Sequence, residues 1–179
     1  LSEKATKRAE EIGQENVFDF SLGNPSVAAP KSYIDAAIDL HKNLEPRELF
    51  GYSPTLTITS VRKAVADSLN KRFGMDYTYE HIFMTSGAAG AIAHALRAVT
   101  KPGDEVIIFA PYFSEYMPYI NETGAKISIV DADEGDFLIN RKSLEEKMNE
   151  NVAALLINSP NNPSGAVYTE DTLRWLSDF

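Results

Sequence analysis

Residues 153–165 read AALLINSPNNPSG, an apolar run that changes abruptly into a loop of asparagine, proline, serine and glycine. A short apolar run bounded by turn residues is typical of a buried strand in a parallel sheet. The two prolines fix the backbone of the loop, and its side-chain amides can donate hydrogen bonds from that rigid frame. Because ligands bind beyond the carboxyl ends of parallel strands, this loop is the first candidate for a binding site.

Three similar apolar runs precede this stretch, at residues 81–85, 105–110 and 126–130. Helical patterns at residues 88–100, 114–122 and 143–149 follow the first three runs in turn. This alternation predicts right-handed crossovers and a sheet covered by helices on both faces. The predicted fold class is therefore α/β, with a mainly parallel sheet in a three-layer α/β/α arrangement.

The amino-terminal part of the chain has a different pattern. It predicts helices over residues 2–15, 30–44 and 60–73, with a short strand over 17–22. Gly13 and Gly74 are placed to end the first and the third of these helices.

Composition excludes several classes of function. The 179 residues include 17 basic and 26 acidic side chains, a net charge of −9 that disfavours a nucleic-acid interface. The longest apolar run, 152–157, is far shorter than the roughly 20 residues of a membrane helix, so no membrane contact is predicted. No cysteine is present and the three histidines are widely separated, so no metal site is predicted. Without a leader pattern, the predicted location is the cytoplasm.

A second candidate site is the stretch TSGAAG at residues 85–90, between a predicted strand and a predicted helix. Small side chains and the free N–H groups of a first helical turn suit a phosphate. The same small residues also suit close packing of the helix on the sheet. The stretch has neither a P-loop lysine nor the G-x-G-x-x-G spacing, so a generic nucleotide-binding domain lacks support.

A third candidate is the stretch APYFSEY at residues 110–116, which places three aromatic side chains after a strand. Aromatic rings there can stack on a flat ligand, or they can pack at the rim of the sheet.

These three stretches, together with LGNP at residues 22–25 and GYSP at 51–54, resemble the class I/II aminotransferases in order and spacing. These are pyridoxal 5'-phosphate (PLP) enzymes of fold type I, similar to aspartate aminotransferase. The resemblance begins near Phe18 and covers the first half of such an enzyme. It implies that residues 1–50 form an amino-terminal arm and small-domain segment, and that 51–179 begin the large PLP-binding domain.

The resemblance also implies cofactor contacts. The backbone amides of Ala88 and Ala89 align with phosphate ligands, and Phe113 aligns with the aromatic that stacks on the pyridine ring. Asn162 is similar to the asparagine that donates a hydrogen bond to the phenolic oxygen of the ring. Tyr52 resembles the tyrosine that reaches the phosphate bound by the partner subunit, which implies a homodimer with shared sites.

The remaining implied roles concern the substrate and the reaction. Gly23 and Asn24 align with positions near the substrate carboxylate. The lysine that attaches the cofactor is expected beyond Phe179, so this chain holds no catalytic residue and is predicted to be inactive alone. The implied reaction moves an amino group from an amino acid to a 2-oxo acid. The alternatives are a PLP-sensing domain of a transcription regulator and a PLP-dependent C–S or β-lyase.

Overall fold

The computed structural model describes residues 2–18, 23, 27–53 and 58–179. It divides the chain into two compact units, Leu1–Thr55 and Leu56–Phe179. The assignment of these segments to the small and large domains of an enzyme stays a prediction. None of the helices in the described part of the chain has the length and apolarity that crossing a membrane requires.

The described part of the first unit contains three helices and one 3-10 turn. Helix α1 spans Ser2–Ile12 and ends at Gly13, whose φ of +90° is a conformation that favours glycine. A 3-10 turn follows over Gln14–Asn16, then α2 over Lys31–Asn43 and α3 over Pro46–Phe50. The predicted strand at residues 17–22 falls mostly outside the described residues.

The second unit contains a parallel sheet of three strands in the order β2-β1-β3. The strands are β1 (Glu105–Phe109), β2 (Lys126–Val130) and β3 (Val152–Leu156). In register, Glu105 lies opposite Lys126 and Phe109 opposite Val130. On the other side of β1, Ile108 lies opposite Leu156, with one irregularity near Glu105.

Among residues 58–179, which the structure describes, five α-helices belong to this unit, and four of them cover the sheet. They are α4 (Thr59–Phe73), α5 (Gly87–Val99), α6 (Tyr116–Asn121), α7 (Arg141–Lys147) and α8 (Glu170–Asp178).

Alternate side chains of β1 enter two separate cores, as the two-residue period of a strand requires. Val106 and Ile108 pack with residues of α5 and α6, including Leu96 and Ile120. Ile107 and Phe109 pack with residues of α7 and α8, namely Leu144, Trp175 and Leu176. The helices therefore lie on both faces of the sheet, and the predicted three-layer α/β class is confirmed.

One predicted element is wrong: residues 81–85 do not form a strand. Tyr79–His81 form a 3-10 turn, and the residues after it are extended without belonging to the sheet. The carbonyl of Ile82 accepts a hydrogen bond from Arg62 Nε at 2.9 Å, so a side chain takes the place of a neighbouring strand. Phe83 in this segment is 60% exposed.

Arg62 is a buried cation that connects α4 to the segment after it. Its side chain is only 8% exposed, and its guanidinium lies 5.3 Å from the centre of the Tyr79 ring. We expect Arg62→Leu to lower the free energy of unfolding by about 1–3 kcal/mol, since it removes a charge-assisted hydrogen bond and a cation–π contact. Urea denaturation of the protein expressed from its complete reading frame measures this change.

The neighbouring Lys63 provides the matched control. Its ion pair with Asp67 spans 2.8 Å, and both side chains are more than half exposed. We expect Lys63→Leu to change stability by less than about 0.5 kcal/mol, because exposed ion pairs contribute little. Equal losses in the two variants would show that the contacts of Arg62 do not stabilise the fold.

Candidate functional site

The parallel sheet places the candidate stretches at one edge. Since β1 and β3 are neighbouring parallel strands, the residues that follow Phe109 and Leu156 emerge at the same carboxyl edge. Helix α5 ends at Val99, and the chain reverses within residues 100–104 to enter β1. The amino end of α5 is therefore directed toward the edge at which β1 ends.

The first turn of α5 has free hydrogen-bond donors. The helix begins at Gly87, with φ of +72°, and the side chain of Ser86 does not cap it. Within the residues that the structure describes, the exposed N–H groups of Ala88 and Ala89 have no acceptor. Unpaired amides at the positive end of a helix dipole favour an anion.

Close packing explains why residue 90, in the same stretch, is a glycine. A Cβ atom added at Gly90 would lie 3.3 Å from the Cβ of Thr85, which is tighter than an ordinary contact. The hydroxyl of Thr85 also donates to the carbonyl of Gly87 at 2.9 Å. The absence of a side chain at Gly90 thus serves packing, whereas the amides of Ala88 and Ala89 remain available to a ligand.

The three aromatic residues after β1 also differ in role, because two of them pack in the core and one remains exposed. Tyr116 is buried and Tyr112 packs against the core beside it, so both support the sheet. Phe113 remains 38% exposed, and its ring stands nearly perpendicular to that of Tyr116 with the centres 5.7 Å apart. Of the three aromatics, Phe113 is the one that can offer ring surface to a flat ligand.

The loop after β3 contains three asparagines with different surroundings. Asn158 Oδ1 accepts from the backbone N–H of Asn162 at 2.8 Å. Asn161 Oδ1 accepts from the N–H and the hydroxyl of Ser164, at 3.2 and 2.9 Å. The exposed side chain of Asn162 has no partner among the residues described, so both its oxygen and its N–H groups are free to bind a ligand.

Two tyrosines in the cores beside the sheet, Tyr116 and Tyr168, are buried. Burial raises the pKa of Tyr116 above the ordinary tyrosine value of about 10. Burial is also the main cause of a raised pKa at Tyr168; the nearby Tyr116 raises it further, while a hydrogen bond from the Asn161 side chain lowers it. Both phenols therefore stay protonated at neutral pH and act as structural groups rather than as bases.

The raised pKa of a buried tyrosine predicts how the stability of the fold depends on pH. A group whose pKa is higher in the folded state stabilises the fold below its unfolded pKa, about 10, and that stability is lost as pH rises through the folded pKa. We therefore expect stability to fall at alkaline pH, and Tyr168→Phe to reduce the fall. Urea midpoints measured across the alkaline range, with phenolate absorbance recorded in parallel, test this expectation.

Tyr33 is the matched control for that measurement, because its side chain is 67% exposed. The variant Tyr33→Phe should retain the full alkaline loss of stability. If Tyr168→Phe and Tyr33→Phe behave alike, burial of Tyr168 is not the cause.

The other predicted site residues belong to the first unit or are not among the described residues. Gly23 and the fully exposed Tyr52 belong to the first unit, and Asn24 is not among the described residues. Their roles stay predictions. Conversely, sequence reasoning assigned no individual role to Asn161 or Tyr168, because no local pattern separates a buried asparagine from its exposed neighbour.

The fold and this edge define an α/β domain in which the exposed ring and the free side-chain amide follow two strands of one sheet, and the free helix amides stand at the start of α5. The sequence profile of the family "Aminotransferase class I and II" matches residues 15–179. The chain belongs to this family, and its α/β domain is of the fold type I kind.

Individual relatives agree with this assignment. The chain is 32% identical to a probable aspartate/prephenate aminotransferase of Rhizobium leguminosarum bv. phaseoli, over 91% of this chain and 40% of the relative. It is also 32% identical to aromatic-amino-acid aminotransferase 2 of Thermococcus litoralis, over 93% of this chain and 42% of the relative.

Solved structures show the same fold. An amino transferase from Eubacterium rectale superposes with a TM-score of 0.94 at 41% identity, over 99% of this chain and 45% of the other. The aspartate aminotransferase of Thermotoga maritima gives a TM-score of 0.85 at 29% identity, over 98% and 45%. The chain spans less than half the length of these relatives.

Proposed function

We propose that the protein expressed from the complete reading frame is an aminotransferase that binds PLP at the carboxyl edge of this sheet. The observation that carries the proposal is the distribution of free polar groups. The amides of Ala88 and Ala89 and the side chain of Asn162 lack partners among the described residues, whereas the side-chain oxygens of Asn158 and Asn161 accept hydrogen bonds within the loop. A ligand with an anionic end and an acceptor oxygen would satisfy them.

The donor set suits PLP. The N–H groups of Ala88 and Ala89 would bind its phosphate, with the helix dipole adding to the attraction. Phe113 would cover a face of the ring and exclude water from it, and Asn162 would donate to the ring hydroxyl oxygen. When bound, the cofactor supplies an electron sink that makes the α-proton of an amino acid removable.

The substrates are proposed by class. Relatives carry names that specify aspartate, prephenate or aromatic amino acids, so we infer an amino acid donor and a 2-oxo acid acceptor. We further propose that Gly23 and Asn24 lie near the substrate carboxylate and that Tyr52 reaches the phosphate of a partner subunit in a homodimer. The attaching lysine is proposed to lie beyond Phe179, and the location is proposed to be the cytoplasm.

The test is a titration of the protein from the complete reading frame with PLP, followed by addition of amino acids. A new visible absorption band should appear, change when an amino acid is added, and return when a 2-oxo acid is added. A band that never responds to any amino acid would contradict an aminotransferase and favour a PLP sensor. Release of ammonia without a 2-oxo acid would favour a lyase.

A further inference from the structure

Asn161 is a buried polar residue inside the candidate cofactor loop. Its exposed fraction is 7%, and a buried amide is unfavourable unless its hydrogen bonds are made. They are made within the loop, because Oδ1 accepts from both donors of Ser164. Its backbone N–H donates to the carbonyl of Ala166 at 2.8 Å, and its carbonyl accepts from Gly165 at 2.7 Å.

These bonds fix the residue directly before Asn162. The Cα of Asn162 is one peptide unit from that of Asn161, so the orientation of that peptide sets the direction of the Asn162 side chain. The N–H of the same peptide is held by Asn158 Oδ1 at 2.8 Å. An exposed amide on an otherwise loose loop would have to be ordered when a ligand binds, which weakens affinity.

The buried residue Tyr168 lies next to Asn161 on the inner side of the loop. The side chain of Asn161 lies beside the phenol of Tyr168 and lowers its pKa, against the larger effect of burial. Tyr168 is 6% exposed, and its backbone N–H donates to Ser159 Oγ at 3.0 Å. The loop is thus joined through Ser159 to a buried aromatic residue.

We propose that Asn161 is a positioning residue, whose buried side chain holds Asn162 in the orientation required to donate to the ring hydroxyl oxygen of PLP. This inference rests on the proposed function and adds a residue to it. Asn161 does not touch the cofactor; it acts through the conformation of the peptide that joins it to Asn162.

The test is a double-mutant cycle on the protein from the complete reading frame. PLP affinity and the pH midpoint of the bound cofactor's absorption are measured for Asn161→Ala, Asn162→Ala and the double variant. Asn161→Ala should weaken PLP binding by about threefold and shift the midpoint in the same direction as Asn162→Ala. The double variant should match Asn162→Ala alone, because positioning has no effect once the positioned group is absent.

Independent losses that add in the double variant would overturn the inference, as would a lowered melting temperature with an unchanged pH midpoint. If Asn161→Ala does not fold, Ser164→Ala replaces it in the cycle, since it removes the hydroxyl that donates to Asn161 Oδ1 at 2.9 Å and accepts from the N–H of Ala166 at 3.2 Å, and leaves Asn161 in place. If the unsubstituted protein gives no PLP band, the proposed function fails and the inference fails with it. If that band appears and the effects add, the inference alone fails.

Discussion

Replacing Ala88 with aspartate should weaken PLP binding by at least about tenfold while leaving the thermal stability of the cofactor-free protein unchanged or slightly higher. Tenfold in affinity corresponds to about 1.4 kcal/mol, less than the roughly 4 kcal/mol between like charges 4 Å apart near a protein surface. A carboxylate in a first helical turn also stabilises the helix by about 0.3–1 kcal/mol. The two effects have opposite signs, so lost binding cannot be attributed to unfolding.

Ala98, near the carboxyl end of the same helix, gives the matched control. Ala98→Asp adds the same charge but opposes the helix dipole, so it should lower stability and leave PLP affinity unchanged. Fluorescence titration with PLP and thermal melts of both variants provide the comparison. Undiminished affinity in Ala88→Asp would mean that the phosphate does not bind at this helix end.

The parts of the fold that sequence predicts well are those set by local patterns. The predicted strand at 126–130 has the observed bounds of β2, and α4 ends before Gly74, whose φ is +64°. An apolar run between turn residues and a glycine in the left-handed region are properties of short segments. Such segments can be predicted without knowing which residues contact them in the fold.

The error at residues 81–85 arises from a contact between distant parts of the chain. An apolar run is compatible with a strand, but a strand also needs a hydrogen-bonding neighbour, and periodicity cannot identify one. Here Arg62, twenty positions earlier, occupies the carbonyl of Ile82. In α4, Val61, Val65 and Leu69 recur at four-residue steps, a spacing that predicts an apolar face, whereas the buried residues of that helix are Arg62 and Ala66.

In the candidate site, too, the sequence predicted what depends on residue type but not what depends on tertiary contacts. The resemblance assigns Asn162 a role, and the structure leaves that side chain free. The resemblance could not assign a separate role to Asn161, because it has the same chemistry as the adjacent Asn162 and the two differ only in burial. Burial of Asn161 depends on the conformation of the whole loop and on the buried Tyr168 that follows it, which the residue type does not reveal.

Asn162→Ala should produce the other large effect, a loss of PLP affinity of about tenfold or more together with a higher pH midpoint of the bound cofactor's absorption. A hydrogen bond to a charged group contributes about 1.5–3 kcal/mol, and a donor favours the deprotonated form of the oxygen that it meets. Removing the donor therefore raises the pKa of that oxygen. Spectrophotometric pH titration of the PLP-bound protein measures the shift.

Asn158 is the control that separates contact from folding, because its Oδ1 accepts from the backbone of Asn162 at 2.8 Å. Asn158→Ala should lower the melting temperature of the cofactor-free protein. Asn162→Ala should change its stability by less than about 0.5 kcal/mol, because an exposed side chain without a partner contributes little to the fold. An unchanged pH midpoint in Asn162→Ala would contradict the contact between this side chain and the ring oxygen. Large destabilisation of the cofactor-free Asn162→Ala protein would show instead that the side chain serves the fold.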